Sequence, residues 1–213
     1  YNETMGRLYI VATPIGNLGD ITVRAAETLR GVQRIACEDT RQSRKLLSHL
    51  GISVPLTSCH GHNEAQCIPG LLEILAQDAD IAYLSDAGTP GISDPGSRLV
   101  RAARDAGHTI VPIPGASAVT ALLSVSGIAG RGWWFEGFLP PKGAKRLTRL
   151  TELAGRSEPF ILYESPHRIG KLMDELAKAA PGWRMVIGRE LTKMYEQIVE
   201  CSVEEGNSFV ASG

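Results

Sequence analysis

Residues 80–96 read DIAYLSDAGTPGISDPG. Residues 81–84 form an apolar run too short for a helix and bounded by Asp80 and Ser85, which predicts a buried strand over 80–85. The next eleven residues, 86–96, hold Gly88, Pro90, Gly91, Pro95 and Gly96, enough chain punctuation to exclude regular structure. Helical spacing resumes over 97–106 and stops at Gly107. A strand, a glycine-rich loop and a helix in that order are part of a βαβ unit, and the flanking sequence repeats the pattern.

Toward the amino end, residues 7–12 (RLYIVA) predict a strand running into Thr13-Pro14-Ile15-Gly16-Asn17. Asp20 is expected to cap a helix through Leu29, stopped by Gly31. Residues 34–37 read as a second strand, followed by Glu38-Asp39-Thr40-Arg41 and a helix to Leu50. A helix is expected over 71–77. Toward the carboxyl end, 109–112 is a strand, and Pro114-Gly115-Ala116-Ser117 opens a helix toward Val125. Strands alternating with helices define an α/β domain with a largely parallel sheet. Glycines then cluster over 127–132, Trp133-Trp134-Phe135 begins a new strand, and Pro140-Pro141-Lys142-Gly143 interrupts again. A second α/β unit follows, with helices at 144–153 and 168–179 and strands at 159–163, 185–189 and 197–201. The expected domains are therefore 1–130 and 131–213.

The 213 residues are 43% hydrophobic and 21% charged, an ordinary globular balance. A net charge of −1 excludes a global basic field, so a nucleic-acid partner would have to be held by local clusters. The longest apolar stretch, 118–125, is broken by Thr120 and Ser124 and cannot span a bilayer. No export-like apolar run occupies residues 1–7, and Cys37, Cys59, Cys67 and Cys201 contain no CxxC pair. Reduced thiols and a cytoplasmic location are expected.

In open α/β sheets, ligands bind beyond the carboxyl ends of the strands. Here four strand ends carry unusual loops, at 13–19, 38–41, 86–96 and 114–117. A tight strand-to-helix turn accounts for any one of them, but less well for four at one edge. The first loop matches neither GxGxxG nor GxxxxGK[ST], so it offers no dinucleotide or nucleoside-triphosphate grip. A cofactor with adenine and ribose but no phosphate, such as S-adenosylmethionine, needs none.

The whole of 86–96 resembles the motif of the ribosomal RNA small subunit methyltransferase I family, within the tetrapyrrole-methylase superfamily. The resemblance continues through TPIGNL (13–18), EDTR (38–41), HNE (62–64), PG (114–115), EGFLP (136–140), YESPHR (163–168) and RELTK (189–193). It implies two α/β domains of tetrapyrrole-methylase type with S-adenosylmethionine in the cleft between them, a homodimer, and no metal. It further implies methylation of the 2′-hydroxyl of a cytidine ribose in the decoding centre of 16S rRNA, within the small ribosomal subunit. For cofactor binding it points to Pro14, Gly16, Asp86, Ala87, Gly88, Thr89, Pro90 and Ser117. Asp94 reads as a turn and cap residue. Residues 206–213 depart from the family's usual last segment.

Methyl transfer to a hydroxyl needs positioning and removal of one weakly acidic proton. Glu38, Asp39, Glu64, Glu164 and His167 are candidate bases, with Arg41, Lys142, Arg168 and Lys193 as candidate orienting cations. The strand-end residues Asp39, Arg41, Glu164 and Arg168 are favoured as the catalytic set. Lys142, Lys145, Arg146 and Arg149 have helical spacing and are the candidate RNA contacts, against the alternative of a solvated helix face. Trp133, Trp134 and Phe135 read as core or dimer contact, with base stacking as the less favoured alternative. Cys59, His60, His62 and Cys67 crowd together but lack the paired spacing of a zinc site. Two other functions stay open: a small-molecule methylase acting on a tetrapyrrole, and a non-catalytic nucleotide- or RNA-binding module.

Overall fold

The computed structural model describes residues 6–211. By packing, the chain divides into two compact units, Tyr1–Ala118 and Val119–Gly213. The glycine cluster read as the boundary from sequence lies one helix later.

The first unit is built on five strands: β1 (Arg7–Val11), β2 (Arg34–Cys37), β3 (Leu56–Ser58), β4 (Ile81–Leu84) and β5 (Thr109–Ile113). All pair in parallel, in the order β3-β2-β4-β1-β5. Four helices cover the sheet: α1 (Val23–Gly31), α2 (Thr40–His49), α3 (Glu64–Ala76) and α4 (Ser97–Asp105). Strand β4 is buried at every position because it is central and both its faces are covered. Its alternate residues feed different cores. Ala82 and Leu84 pack with Leu29 of α1 and Leu47 of α2, whereas Ile81 and Tyr83 pack with Leu71 and Leu75 of α3 and Leu99 of α4. The helices that follow β1 and β4 thus lie on opposite faces, and these two strands are neighbours.

Three local expectations are corrected. Asp20 does not cap α1; it ends a short 3-10 turn, Leu18–Asp20, and the cap is Thr22, whose hydroxyl accepts from the Ala25 amide at 3.1 Å. Helix α3 starts at Glu64, well ahead of the expected 71, and carries Pro69 within it. Proline gives up one backbone hydrogen bond there without ending the helix, because Leu71 and Leu75 anchor it in the core. Strand β3 was not anticipated: three residues at a sheet edge offer too short a pattern to read.

The second unit opens with α5 (Ala118–Ser126). It contains a parallel pair, β6 (Trp134–Phe138) with β7 (Phe160–Tyr163), and an antiparallel pair, β8 (Arg184–Arg189) with β9 (Gln197–Ser202). Helices α6 (Ala144–Ala154), α7 (Ile169–Ala179) and α8 (Gly206–Ala211) complete it. Its core gathers Leu139, Leu150, Leu153, Leu172, Met173 and Leu176. A largely apolar cavity of about 410 Å³ is lined by consecutive residues of β7 and of β8, with Leu172, Met173 and Leu176 of α7 on its wall. Consecutive lining residues mean that the cavity meets both strands at their edges. Residues 206–211, where the family resemblance fails, form α8; 212 and 213 lie outside the described residues.

Candidate functional site

The carboxyl ends of β1 and β4 form the topological switch point of the first unit, since their connections leave to opposite faces. The loops leaving these strands are tied together there. Thr13 and Gly88 exchange backbone hydrogen bonds of 2.9 and 3.0 Å, and the Thr13 hydroxyl donates to the Ser85 carbonyl at 3.2 Å. Ser85 Oγ donates to the Gly88 carbonyl at 3.3 Å. Thr89 Oγ1 donates to the Ala116 carbonyl at 3.4 Å, which brings the loop after β5 to the same place.

Backbone, not side chain, shapes this crevice. Gly88 has φ +80°, a left-handed conformation, and a Cβ there would press on Ile15 Cγ2 at 3.4 Å. Gly96, with φ +120°, turns the long loop into α4 directly over the buried Tyr83 ring; a Cβ would come within 2.7 Å of Tyr83 Cε1. The Gly96 amide donates to Glu64 Oε1 at 3.1 Å, and Arg98 lies 3.7 Å from Glu64 Oε2. Glu64, a sequence candidate for a base, is therefore a buried anchor that places a carboxylate at the amino end of α4.

The cofactor candidates Asp86, Ala87, Gly88, Thr89 and Pro90 all lie in the loop after β4, while Pro14 and Gly16 follow β1 and Ser117 precedes α5. Asp86 is exposed, and its Oδ1 accepts from the Asp39 amide at 3.0 Å, joining the β2 and β4 loops. Asp39 caps α2 through Arg41 N–H at 2.8 Å, and Arg41 Nη2 donates to Asp39 Oδ2 at 2.7 Å. These bonds hold the Asp39 carboxyl at about 2, well below the usual range. Burial moves Glu38 the other way, with the neighbouring Asp86 and Asp94 carboxylates adding to the rise. Burial likewise raises Asp94, against a hydrogen bond from Ser85. Glu38, Asp86 and Asp94 thus form an acidic group at the crevice. Asp94, a turn residue by sequence pattern, and Glu38, less favoured than Asp39 by sequence, both belong to this group. Glu38 and Asp94 are raised by burial, which no local signal shows, whereas Asp39 is lowered by its hydrogen bonds from Arg41.

In the second unit, Glu164 follows β7 and is almost completely buried. It accepts from Arg168 Nη2 at 2.7 Å, Arg146 Nη2 at 3.0 Å and the Ser165 amide at 2.8 Å. Arg146 also donates to Glu175 at 2.7 Å and to the Pro140 carbonyl at 3.2 Å. Only 1% of Arg146 is exposed, so it cannot reach a phosphate, and its expected role as an RNA contact is corrected to that of a buried ionic link. The reason is helix phase: Arg146, Leu150 and Leu153 share the inward stripe of α6. Arg149 is part-exposed and engaged by both oxygens of Glu136, at 2.7 Å each, and by Glu152 at 2.8 Å. Lys142 and Lys145 are exposed and make no ion pair with any described residue.

Cys59 and Cys67 form a disulfide, contrary to the expected free thiols, because the end of β3 and the first turn of α3 bring their Cα atoms to 5.9 Å. Cys37 and Cys201 are free. Among the described residues no helix is long and apolar enough to cross a membrane.

A parallel five-stranded sheet with glycine loops at its switch point that carry no phosphate-binding motif, followed by a second α/β unit, defines a class. The family model of the tetrapyrrole (corrin/porphyrin) methylases matches residues 7–206, and the chain belongs to that family. Within it, the chain is 49% identical over 199 residues to the ribosomal RNA small subunit methyltransferase I of Xylella fastidiosa, covering 93% of this chain and 73% of that protein. Among solved structures, a cobalt precorrin-4 methyltransferase has the same fold, with a TM-score of 0.72 at 18% identity over 97% of this chain and 89% of the other. So does a uroporphyrin-III C-methyltransferase from Thermus thermophilus complexed with S-adenosylhomocysteine, with a TM-score of 0.66 at 18% identity, covering 96% and 92% of the two chains.

Proposed function

We propose that this protein is an S-adenosylmethionine-dependent methyltransferase of small-subunit ribosomal RNA, modifying the 2′-hydroxyl of a cytidine ribose in the decoding centre of 16S rRNA. The observation that carries the reading is the 49% identity, over 93% of the chain, to a relative named for that RNA. Its likeness to the corrin and porphyrin enzymes is one of fold, at 18% identity. The protein acts in the cytoplasm as a homodimer.

The crevice fits the cofactor. Gly88 lets the backbone come close without a Cβ, and the loops lack a phosphate grip that S-adenosylmethionine does not need. Asp86 offers a free acceptor oxygen for ribose hydroxyls. Pro14, Gly16, Ala87, Thr89, Pro90 and Ser117 complete the lining. When bound, S-adenosylmethionine supplies a methyl group already activated on a sulfonium.

The protein must then hold the attacking oxygen and accept its proton. Glu38, at the end of β2, is the acceptor assigned here, its basicity raised by burial and by the adjacent Asp86 and Asp94. Asp39, held near 2 by Arg41, is a weak base, and the pair positions the loop instead. Glu164 and Arg168 are positioning residues in the second unit. Lys142 and Lys145, with part-exposed Arg149, are the RNA contacts.

Transfer of a tritiated methyl group to naked 16S rRNA, to assembled small subunits and to a porphyrinogen tests the proposal. Label in either RNA substrate at a ribose, abolished by a 2′-deoxy target, is the expected result. Label in the porphyrinogen alone favours the small-molecule methylase, and cofactor binding without transfer favours a binding module.

A further inference from the structure

Strand β6 contains a device that its neighbours do not explain. Its register against β7 shifts between Phe135 and Gly137, and Gly137 takes φ +72°, the signature of a bulge. In a regular strand Phe135 and Phe138 would point to opposite faces, being three residues apart. The bulge returns both to one side, and both meet the Tyr163 ring edge-on, at 5.1 and 5.5 Å between centroids. Phe135 is half-buried, whereas Phe138 is 52% exposed and so keeps one face in solvent. That face lines an open groove of about 750 Å³ with Pro140, Pro141, Lys145 and Arg149, and with Glu136 and Glu152, the two carboxylates that Arg149 engages.

The charge around the groove selects its occupant. Arg149 engages the two local carboxylates, Glu136 and Glu152. Lys145 on the groove and Lys142 beside it are exposed and make no ion pair among the described residues. A rigidly backed aromatic face flanked by free cations is the arrangement that binds a single-stranded nucleic acid, the base stacking and the phosphates meeting the ammonium groups.

Resting on the reading of the protein as an RNA methyltransferase, we propose that Phe138 is a stacking platform for an unpaired base of the substrate RNA, with Lys142 and Lys145 holding the adjoining phosphates. Phe138 is thus a substrate-positioning residue of the second unit.

The probe is a single-stranded oligoribonucleotide of about ten nucleotides containing 2-aminopurine, whose emission falls on stacking. Phe138→Ala should weaken binding about 5- to 150-fold, the range for a lost base–aromatic stack. It should remove the quenching and leave the salt slope as in wild type. Phe138→Trp should restore affinity and quenching. Lys142→Ala with Lys145→Ala should instead reduce the salt slope by roughly 1.4, about 0.7 per contact, and keep the quenching at saturation. An unaltered thermal melt of Phe138→Ala shows that the half-exposed ring is not needed for folding. Wild-type affinity and quenching in Phe138→Ala would overturn the proposal while leaving RNA methylation standing. So would loss of binding to an acidic peptide in that variant with RNA binding retained. A wild-type protein that labels only a porphyrinogen would instead remove the underlying function.

Discussion

The two units make their sites in opposite ways. In the first, the crevice at the ends of β1 and β4 is drawn by backbone: a Thr13–Gly88 bridge, left-handed Gly88 and Gly96, and loops that side chains merely brace. In the second, the end of β7 is organised by buried charge, with Glu164 between Arg146 and Arg168 and Arg146 reaching on to Glu175. Backbone-built sites tolerate many side-chain changes and fail when a glycine gains a Cβ. Charge-built sites tolerate backbone drift poorly and fail when one partner is removed, because the survivor is left desolvated. The first kind suits a cofactor recognised by close approach; the second fixes how a strand end and two helices meet.

The largest expected effect tests the chemical half of this contrast. Glu38→Gln should lower turnover about 10²- to 10⁴-fold, the contribution of a general base, while S-adenosylmethionine binding persists. Because the folded Glu38 pKa lies above its ordinary value, ionising it costs folding stability as pH rises from that ordinary value through the raised one. The variant should therefore match or exceed wild-type stability at neutral pH. The wild-type pH–rate profile should show an acidic limb above the ordinary carboxylate range, absent in the variant. A full-rate variant would return the base to the other carboxylates.

Next in size is Arg146→Ala, which leaves Glu164 and Glu175 without their buried guanidinium. A loss of about 3–5 kcal/mol is expected from urea unfolding. An Arg146 that merely touched RNA would show none, so an unchanged midpoint would undo the contrast.

Gly88→Val comes third. At a cofactor concentration near 100 Kd the wild type should gain about 2.7 kcal/mol, seen as a melting shift of a few degrees. The variant should show no shift with S-adenosylmethionine or S-adenosylhomocysteine, and neither protein should respond to NAD.

The smallest effect belongs to Asp39→Asn. Asparagine caps a helix as well as aspartate does, and the Asp39–Arg41 pair is open to solvent. Melting at neutral pH should hardly change. With its carboxyl held near 2, any advantage of the wild type is present above the ordinary carboxylate pKa and fades as pH falls through about 2.

Much of this was legible in the linear chain. The apolar run 81–84 followed by a loop dense in glycine and proline can only be a central strand entering a broad turn, and local sterics dictate that reading. The alternation of such runs with 3.6-period segments was enough for a parallel α/β sheet, and the motif order from residue 7 to about 200 was enough for the family. Even the burial of Arg146 left a trace, since it falls in phase with Leu150 and Leu153, while Lys145 is turned away from that stripe and Lys142 precedes the helix. What no local pattern carries is the environment of a charge. Glu38 and Asp39 are adjacent residues of one chemical type, yet burial beside Asp86 and Asp94 raises the one while hydrogen bonds from Arg41 lower the other. Phe138 shares a side with Phe135 only because of the bulge between Phe135 and Gly137, which strand periodicity does not show. Secondary structure and family follow from short-range sterics and periodicity, which the chain carries within a few residues. Burial, and ion pairs such as Arg146–Glu164 and Arg146–Glu175, depend on groups brought close only by folding, and so the tertiary structure alone decided them.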